Sequence, residues 1–445
     1  MAHVLFHLLD RLRIGKQVRE SIFRSIPIWI ASLVTGIVAV MYAKLFSEAE
    51  HVGMRFIIHN PYGIFLLLPL TFVAATYLVR QFAPLARGSG IPQVSAALDI
   101  AGTAYDRGID KLLSLRVIVI KVASSTIMAL GGGAIGREGP TVQISASVFY
   151  LINSWKPISW PSYSEKVVVM TGSAAGLAAA FNTPLGGIVF AIEELSRLHF
   201  NSFRTTLLAA VIVAGFTAQS ILGPYLFLGY PRVGGSTFTL AVAVILIAIA
   251  AGFIGAFFSR VLFATVQTLG RVERMRSQLL IAFVLGLTLA CFANFYSLKA
   301  LGSGKETMVS ILFGTGAEIE NSTVIARLAG PILSFAAGAA GGIFAPALSV
   351  GATIGAFLAP HFTVSPEQIN VLVLAGMVGF LTALTRSPFT SAVLVLEMTD
   401  RHSVIFFLML AGLASHAAAV MISPHSLYER LKPTYLRNTV GDEAR

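Results

Sequence analysis

The sequence predicts an all-α, polytopic membrane protein made of two related halves that contain tilted and partial helices. Of its 445 residues, 56% are hydrophobic and only 12% are charged, whereas soluble domains carry about 25% charged residues. Glycine and proline interrupt several apolar stretches, which predicts half-length helices whose free backbone groups are buried in protein or line a cavity. Other stretches approach the roughly 20 residues that a membrane-spanning helix needs. The apolar stretches are 26–43, 63–79, 117–135, 205–222, 236–258, 278–296, 323–361, 368–398 and 404–423.

An internal repeat divides the chain into halves of roughly 26–223 and 237–423. Three pairs of segments match in the same order, at separations of 204 to 214 residues. Transporters are often built from such repeats, with the substrate site where the halves meet. The matching pairs are RGSGIPQVSAAL from Arg87 with LGSGKETMVSIL from Leu301, GREGPTVQIS from Gly136 with GIFAPALSVG from Gly342, and GSAAGLAAAFNTPLGGIVFAIEEL from Gly172 with GMVGFLTALTRSPFTSAVLVLEMT from Gly376.

Five short segments predict helix starts: GSGIP, GREGP, GIFAP, NTP and RSP. Each places a proline shortly after small or polar residues, and proline is favoured in the first turn of a helix. The first N–H groups of a helix have no intrahelical acceptor and carry partial positive charge. Glycine allows a ligand to approach the backbone closely. Such starts, buried at membrane depth, predict a site for an anion such as chloride.

Glu138 stands at one of these helix starts, beside Arg137, in a stretch that is otherwise apolar or glycine. We interpret Glu138 as a proton-operated gate. Its carboxylate competes with the transported anion for the same donors, and protonation removes that attraction. Ionisable residues inside membranes are usually functional. The alternative is a structural acid in the first turn of the helix, with Arg137 as its partner.

Other polar side chains have both a functional and a structural interpretation. Ser89 in GSGIP is either an anion-binding hydroxyl or an ordinary N-cap. Tyr435 in KPTY, taken alone, is better explained as an anchor at the membrane interface. Glu193 and Glu194 end an apolar segment, where acids oppose the helix macrodipole. One of the two is predicted to serve proton entry, and a surface-exposed helix end is the alternative.

Further charges lie inside the apolar segments. Lys121 in VIVIKVASS is too deep for easy snorkelling to the membrane surface. It is predicted to bias the potential of an anion path or to pair with an acid. Arg386 and Glu397 belong to the second-half segment that matches 172–195, and we interpret both as structural.

Charge and composition argue against several classes of protein. The net charge of +11 is better explained by basic cytoplasmic loops than by nucleic-acid binding. The single Cys291 excludes a disulfide framework. No metal-ligand cluster or nucleophile–base pair lies within the apolar segments, which disfavours an intramembrane enzyme, and no metal or cofactor is predicted. Converging helix starts favour an anion over the cation or amino acid of another inverted-repeat carrier.

Three regions are expected along the chain. Charges punctuate the N-terminus, which is therefore no signal peptide. Leucines at helical spacing predict an amphipathic helix over 1–24 that lies on the cytoplasmic membrane face. A transmembrane domain is expected over 25–424, and a short cytoplasmic segment over 425–445.

GSGIP (88–92), GREGP (136–140) and GIFAP (342–346) resemble, in order and spacing, the CLC family of chloride channels and chloride/proton antiporters. The resemblance covers about residues 20–440. It implies a homodimer with one anion pathway in each subunit, and halves of inverted topology. Glu138 matches the gating glutamate of the family, and Glu194 its internal proton-transfer glutamate. The implied chloride ligands are the hydroxyls of Ser89 and Tyr435 and the backbone amides of Arg137, Glu138, Gly139, Ile343 and Phe344.

The resemblance leads to one functional prediction and one alternative. The prediction is a chloride/proton antiporter of the compact prokaryotic type, placed in the bacterial inner membrane with both termini in the cytoplasm. The alternative is a passive chloride channel, gated by voltage or pH, on the same scaffold. The nearly uncharged segments after Pro184 and Pro388 are expected to form the subunit interface, since close packing drives association in lipid.

Overall fold

The structure, a computed structural model, describes residues 16–156, 160, 163–195, 204–223, 226–314 and 319–441. Within these ranges nine helices are long and apolar enough to cross a membrane. The same ranges contain no β-strand, and their β-type pairing is limited to two isolated bridges, Gly88 with Ala340 and Gly136 with Gly342. The predicted all-α polytopic fold is therefore confirmed.

Apart from the single-turn helix Ile109–Leu112, the described α-helices follow one another in two sets of eight, with one more at the C-terminus. The first set is α1 (Lys16–His59), α2 (Ile64–Phe82), α3 (Ile91–Ile100), α4 (Leu115–Leu130), α5 (Glu138–Trp155), α6 (Glu165–Phe181), α7 (Pro184–Phe190) and α8 (Arg204–Leu222). The second set is α9 (Phe238–Gly270), α10 (Met275–Phe295), α11 (Lys305–Phe313), α12 (Asn321–Ala336), α13 (Phe344–Leu358), α14 (Pro366–Thr385), α15 (Pro388–Thr399) and α16 (Ile405–Ile422). The last helix is α17 (Leu427–Val440).

Each helix of the first set has a counterpart eight places later, which gives the internal repeat a structural meaning. Helix α5 packs on α6 as α13 packs on α14, and α1 lies against α6 and α8 as α9 lies against α14 and α16. Left-handed backbone recurs at matching positions: Gly90 and Gly304 have φ of 106° and 88°, and Asn182 and Arg386 have φ of 57° and 65°. The sequence repeat is thus a repeat of helix order, packing and turn conformation.

The breaks in the apolar stretches fall where glycine and proline predict them. Stretch 323–361 contains two helices, α12 and α13, separated by the segment that includes GGI. Stretch 368–398 is divided at Arg386–Ser387 before Pro388. These short helices place their starts inside the molecule, because the first residues of α5 and α13 are buried.

The predicted N-terminal boundary of the transmembrane domain does not coincide with a helix end. Residues 1–15 lie outside the described part. Within the described residues, helix α1 extends from Lys16 through Pro27 to His59, so the expected boundary at 24–25 falls within a helix.

The C-terminal segment forms α17, which packs against α3. Ser426 and Glu429 form a capping box at its start, and Leu427, Tyr428, Leu431 and Tyr435 are buried. The C-terminal segment is therefore packed into the protein core.

Candidate functional site

Three helix starts from the two halves meet at the centre of the molecule. The start of α5 and the start of α13 are joined by reciprocal backbone hydrogen bonds, Gly136 N to Gly342 O at 2.8 Å and Gly342 N to Gly136 O at 2.7 Å. The loop before α3 joins them through Gly88 N, which donates to Ala339 O at 2.9 Å. In none of the three helices does the side chain of the N-cap residue itself cap the first N–H groups. Backbone donors with partial positive charge therefore converge, as an anion site requires.

Glycine permits the close approach of these loops. A Cβ at Gly139 would lie 2.2 Å from Ser89 Oγ, and a Cβ at Gly342 would lie 3.0 Å from Gly139 N. A Cβ at Gly139 is therefore excluded unless Ser89 moves, and a Cβ at Gly342 would require its neighbours to shift by a few tenths of an ångström. The Ser89 hydroxyl is thus held directly against the second residue of α5.

The buried polar atoms in this region that have no hydrogen-bond partner among the described residues include Ser89 Oγ, Glu138 Oε2 and Tyr428 Oη. Their side chains belong to residues that are only 1%, 2% and 1% exposed. The Tyr428 hydroxyl lies near the Ser89 hydroxyl. A buried polar atom without a partner costs about 1–3 kcal/mol, so the pair of unpaired hydroxyls fits an anion that would accept from both.

The Glu138 carboxylate lies across the helix starts. It is close to its own backbone N–H and to the N–H of Ala345 in α13, and Oε2 would be 2.3 Å from a Cβ at Gly136. Arg137 turns away and donates to Ala43 O in α1 at 2.6 Å. The carboxylate therefore lies on donors of both halves, and the guanidinium anchors the loop to α1.

The structure corrects the choice of tyrosine. The Tyr435 hydroxyl donates to Arg87 O at 3.1 Å, so its single proton is already used. Tyr428 stands beside Ser89 instead, and its ring stacks on Phe344 with centroids 6.2 Å apart. Tyr428 and Tyr435 lie two helical turns apart on one buried face of α17, which is why the sequence did not separate them.

Lys121 has a counterpart that the sequence reasoning missed. The Lys121 ammonium is fully buried and donates to Gly88 O at 3.1 Å. In the second half, Arg327 is also fully buried and donates to Leu301 O and Gly302 O at 2.9 and 3.2 Å. Both cations hold the carbonyl of the first glycine in a GSG loop. Lys121 therefore holds the loop that carries Ser89, and extending the repeat over α4 and α12 would have found Arg327.

The second-half counterpart of Ser89 is already occupied by a carboxylate of the protein. Ser303 N donates to Glu50 Oε1 at 2.6 Å, and Ser303 Oγ lies 3.3 Å from Glu50 Oε2. Glu50 comes from α1 and so closes the start of α11. The GSG loops of the two halves are alike in backbone, but only the first leaves its serine hydroxyl unpaired.

The acids at the end of the α7 segment have different roles. Glu193 accepts from Phe389 N and Thr390 N at 3.2 and 2.7 Å, at the start of α15. Its counterpart Glu397 accepts from Leu185 N and Gly186 N at 3.1 and 2.6 Å, at the start of α7. Each acid thus caps the N-terminus of the opposite helix, where the macrodipole favours negative charge.

Glu194 breaks this symmetry, because the repeat places Met398 at the matching position. Its carboxylate accepts from Ser387 Oγ at 2.6 Å and faces a cavity of about 340 Å³ between α3, α6 and α17. Tyr428 lines the same cavity, so the space connects Glu194 with the side chain next to Ser89. The other polar lining residues are Ser95, Asp99, Lys166, Glu193, Thr385, Arg386, Ser387, Ser426, Glu429 and Lys432.

Comparisons with known proteins match this architecture. The family model described as voltage gated chloride channel matches residues 70–420. The H(+)/Cl(−) exchange transporter ClcA of Salmonella arizonae is 27% identical over 98% of this chain and 94% of its own length. ClcA of Citrobacter koseri is 26% identical with the same coverage. A slow cyanobacterial Cl⁻/H⁺ antiporter has the same fold, with a TM-score of 0.78 and 24% identity over 95% of this chain and 99% of its own.

Proposed function

We propose, from the premise that this chain belongs to the voltage-gated chloride channel (CLC) family, that it exchanges chloride for protons across a membrane. The observation that carries the proposal is the buried Glu138 carboxylate on the donors of two helix starts, beside the unpaired hydroxyls of Ser89 and Tyr428. The Glu138 carboxylate and the transported chloride would then compete for the same backbone N–H donors. The ClcA relatives carry the name of H(+)/Cl(−) exchange transporters.

The central chloride would be held by hydroxyl and amide donors. Ser89 and Tyr428 supply the hydroxyls, and the first N–H groups of α13, at Ile343 and Phe344, supply the amides. These groups replace the hydration shell of the ion without a full cation. Lys121 supports the site indirectly, because its hydrogen bond fixes the carbonyl of Gly88.

Glu138 couples the two ions by competition. While ionised, its carboxylate occupies the donors at Arg137–Gly139 and Ala345, and chloride is excluded from that position. When it takes a proton, its attraction to the helix starts falls and chloride replaces it. Alternation between the two states moves chloride in one direction and a proton in the other.

Glu194 supplies the internal proton acceptor. Glu193 and Glu397 each cap the start of a helix in the opposite half. Glu194 has no such capping role and is therefore available for proton transfer. Its cavity reaches Tyr428, whose ring stacks on Phe344. Protons therefore enter at Glu194 and pass the aromatic pair towards Glu138.

A passive channel on the same scaffold is the competing function. A channel needs the gate and the chloride site, but it has no use for a second titratable group that departs from the repeat. Glu194 facing the cavity therefore favours the antiporter. The chain acts as a transporter rather than an enzyme, with chloride and protons as its substrates and no cofactor.

The assembly is a homodimer in the lipid bilayer, as the sequence predicts. Helices α7 and α15 pack side by side, and Leu185, Ile192 and Phe389 on these segments remain exposed. A two-fold contact is the commonest closed arrangement. We assign the protein to a bacterial inner membrane with both termini in the cytoplasm, on the side that the basic loops face.

Paired ion fluxes test the proposed exchange. Purified protein in liposomes is given a pH gradient and equal chloride on both sides. An antiporter drives chloride movement from the pH gradient alone, and its reversal potential shifts with pH. A reversal potential that follows only the chloride gradient would show a channel.

A further inference from the structure

The helix that carries Tyr428 is joined by an ion pair to the helix that follows Ser89. Lys432 Nζ of α17 lies 2.6 Å from Asp99 Oδ2 of α3. In the part of the chain that the structure describes, it is the one ion pair between a carboxylate and a lysine or arginine. We propose that this Asp99–Lys432 clamp positions the Tyr428 hydroxyl beside Ser89, an inference that rests on the proposed chloride site.

The clamp connects the supports of the two hydroxyls. The loop of Ser89 leads into α3 at Gly90, and Asp99 lies in the last turn of the same helix. Lys432 follows Tyr428 by four residues on α17, which places it one helical turn further along. Because each of these helices is short and moves as a unit, joining Asp99 to Lys432 fixes where Tyr428 stands relative to Ser89.

The stability of α3 alone does not explain why an acid stands at position 99. A negative charge is unfavourable in the last turn of a helix, and α3 has no basic residue there. The Asp99 carboxylate therefore needs a cation from another helix. The Lys432 side chain is only 12% exposed, and salt weakens a partly buried pair less than an exposed one. The pair is thus suited to hold α3 and α17 together.

The contacts of the Tyr428 ring do not by themselves fix its hydroxyl. The ring stacks on Phe344 with an angle of 18° between the planes, and stacked rings tolerate different offsets. A binding site needs its groups held to within about 0.5 Å. Tyr435 and Thr439 also tie α17 to its surroundings, but they follow Tyr428 by seven and eleven residues. Lys432, at four residues, is the closer support.

The internal repeat associates the clamp with the GSG loop whose serine is open. The two GSG loops are 214 residues apart, and at that separation Asp99 corresponds to the exposed Phe313. Phe313 cannot form an ion pair, and α17 has no counterpart in the first set of helices. The acid at position 99 therefore belongs to what distinguishes the Ser89 loop rather than to what the two halves share.

A direct action of the two charges on the anion makes the opposite prediction for one variant. Asp99→Asn removes a negative charge from the cavity that Tyr428 also lines. Direct electrostatics would then strengthen the binding of chloride, whereas loss of the clamp weakens it. Lys432→Met lowers chloride affinity by either route, so Asp99→Asn is the decisive change.

Calorimetric titration of chloride into the purified full-length protein tests the clamp, with thermal unfolding measured in parallel. The variants are Asp99→Asn, Lys432→Met, Tyr428→Phe, and Asp99→Asn combined with Tyr428→Phe. The matched control is Asp400→Asn, which makes the same chemical change at an exposed position outside both helices.

Asp99→Asn and Lys432→Met should each weaken chloride binding about three- to tenfold, and the control should bind chloride as wild type does. In the Tyr428→Phe background, Asp99→Asn should cause no further loss, because the hydroxyl that it displaces is already absent. Wild-type or tighter binding by Asp99→Asn, whatever its unfolding temperature, would overturn the proposal, and so would losses that add in the combined variant. Unchanged affinity in Tyr428→Phe would instead refute the chloride site on which the clamp depends.

Discussion

The hydroxyl of Tyr428 should provide one of the hydrogen bonds to the central chloride. Tyr428→Phe keeps the ring that stacks on Phe344 and removes only Oη, which has no partner among the described residues. A hydrogen bond to a charged partner contributes about 1.5–3 kcal/mol, which corresponds to roughly 10- to 150-fold in affinity. We expect the lower end, about tenfold, because Ser89 and the amides of α13 remain.

Tyr435→Phe is the matched control, since it makes the same chemical change two turns along the same helix. It removes the hydrogen bond to Arg87 O, a contact between neutral groups that contributes about 0.5–1.5 kcal/mol to stability. The thermal unfolding temperature should fall, whereas chloride affinity should stay close to that of wild type.

Calorimetric titration of chloride into wild type and both variants checks the assignment, with thermal unfolding measured in parallel. The reasoning fails if Tyr435→Phe weakens chloride binding and Tyr428→Phe does not. It also fails if both variants bind chloride as wild type does, because the unpaired hydroxyl would then have no ligand.

Three further predictions concern the gate, the proton acceptor and the close approach at the site. Glu138→Gln should abolish proton coupling while chloride flux persists in liposomes, because an amide neither titrates nor competes as an anion; uphill proton movement by this variant would contradict the gate. Glu194→Gln should lower proton flux while chloride flux continues and unfolding is little changed. Glu193→Gln should instead lower stability by about 1–2 kcal/mol by weakening the cap on α15, and the ratio of proton to chloride flux should not change. If Glu193→Gln lowered proton flux and Glu194→Gln lowered stability, the two roles would have to be exchanged. Gly139→Ala should weaken chloride binding more than tenfold and cost about 1–3 kcal/mol, since its Cβ meets Ser89 Oγ, and full chloride affinity would show that the site relaxes freely.

The sequence predicted the backbone of the site better than its side chains. Repeated glycines and prolines determine where short helices begin, and the reciprocal bonds between Gly136 and Gly342 follow from equivalent loops that meet. Local backbone rules and the repeat were therefore sufficient to locate three converging helix starts and to place Glu138 and Ser89 at them.

The misplaced tyrosine shows where sequence reasoning reaches its limit. Tyr428 and Tyr435 lie on the same face of α17, so helical periodicity makes them equally good candidates for a chloride ligand. Only the packing of α17 against α3 determines which hydroxyl reaches Ser89. The low apolar content of α17 likewise gave no sign that it enters the core. Glu193 and Glu194 were distinguishable in principle, because comparison with Glu397 and Met398 separates the cap from the additional acid.

The carboxylate of Glu50 at Ser303 has a consequence for how the protein responds to its surroundings. A ligand that is part of the chain has a fixed effective concentration, whereas a diffusing ion has the concentration of its compartment. The start of α11 therefore remains occupied when chloride is scarce and does not exchange when chloride is abundant. Of the two GSG loops, one is joined to α1 by a carboxylate of the chain, and the other keeps its serine hydroxyl without a partner among the described residues.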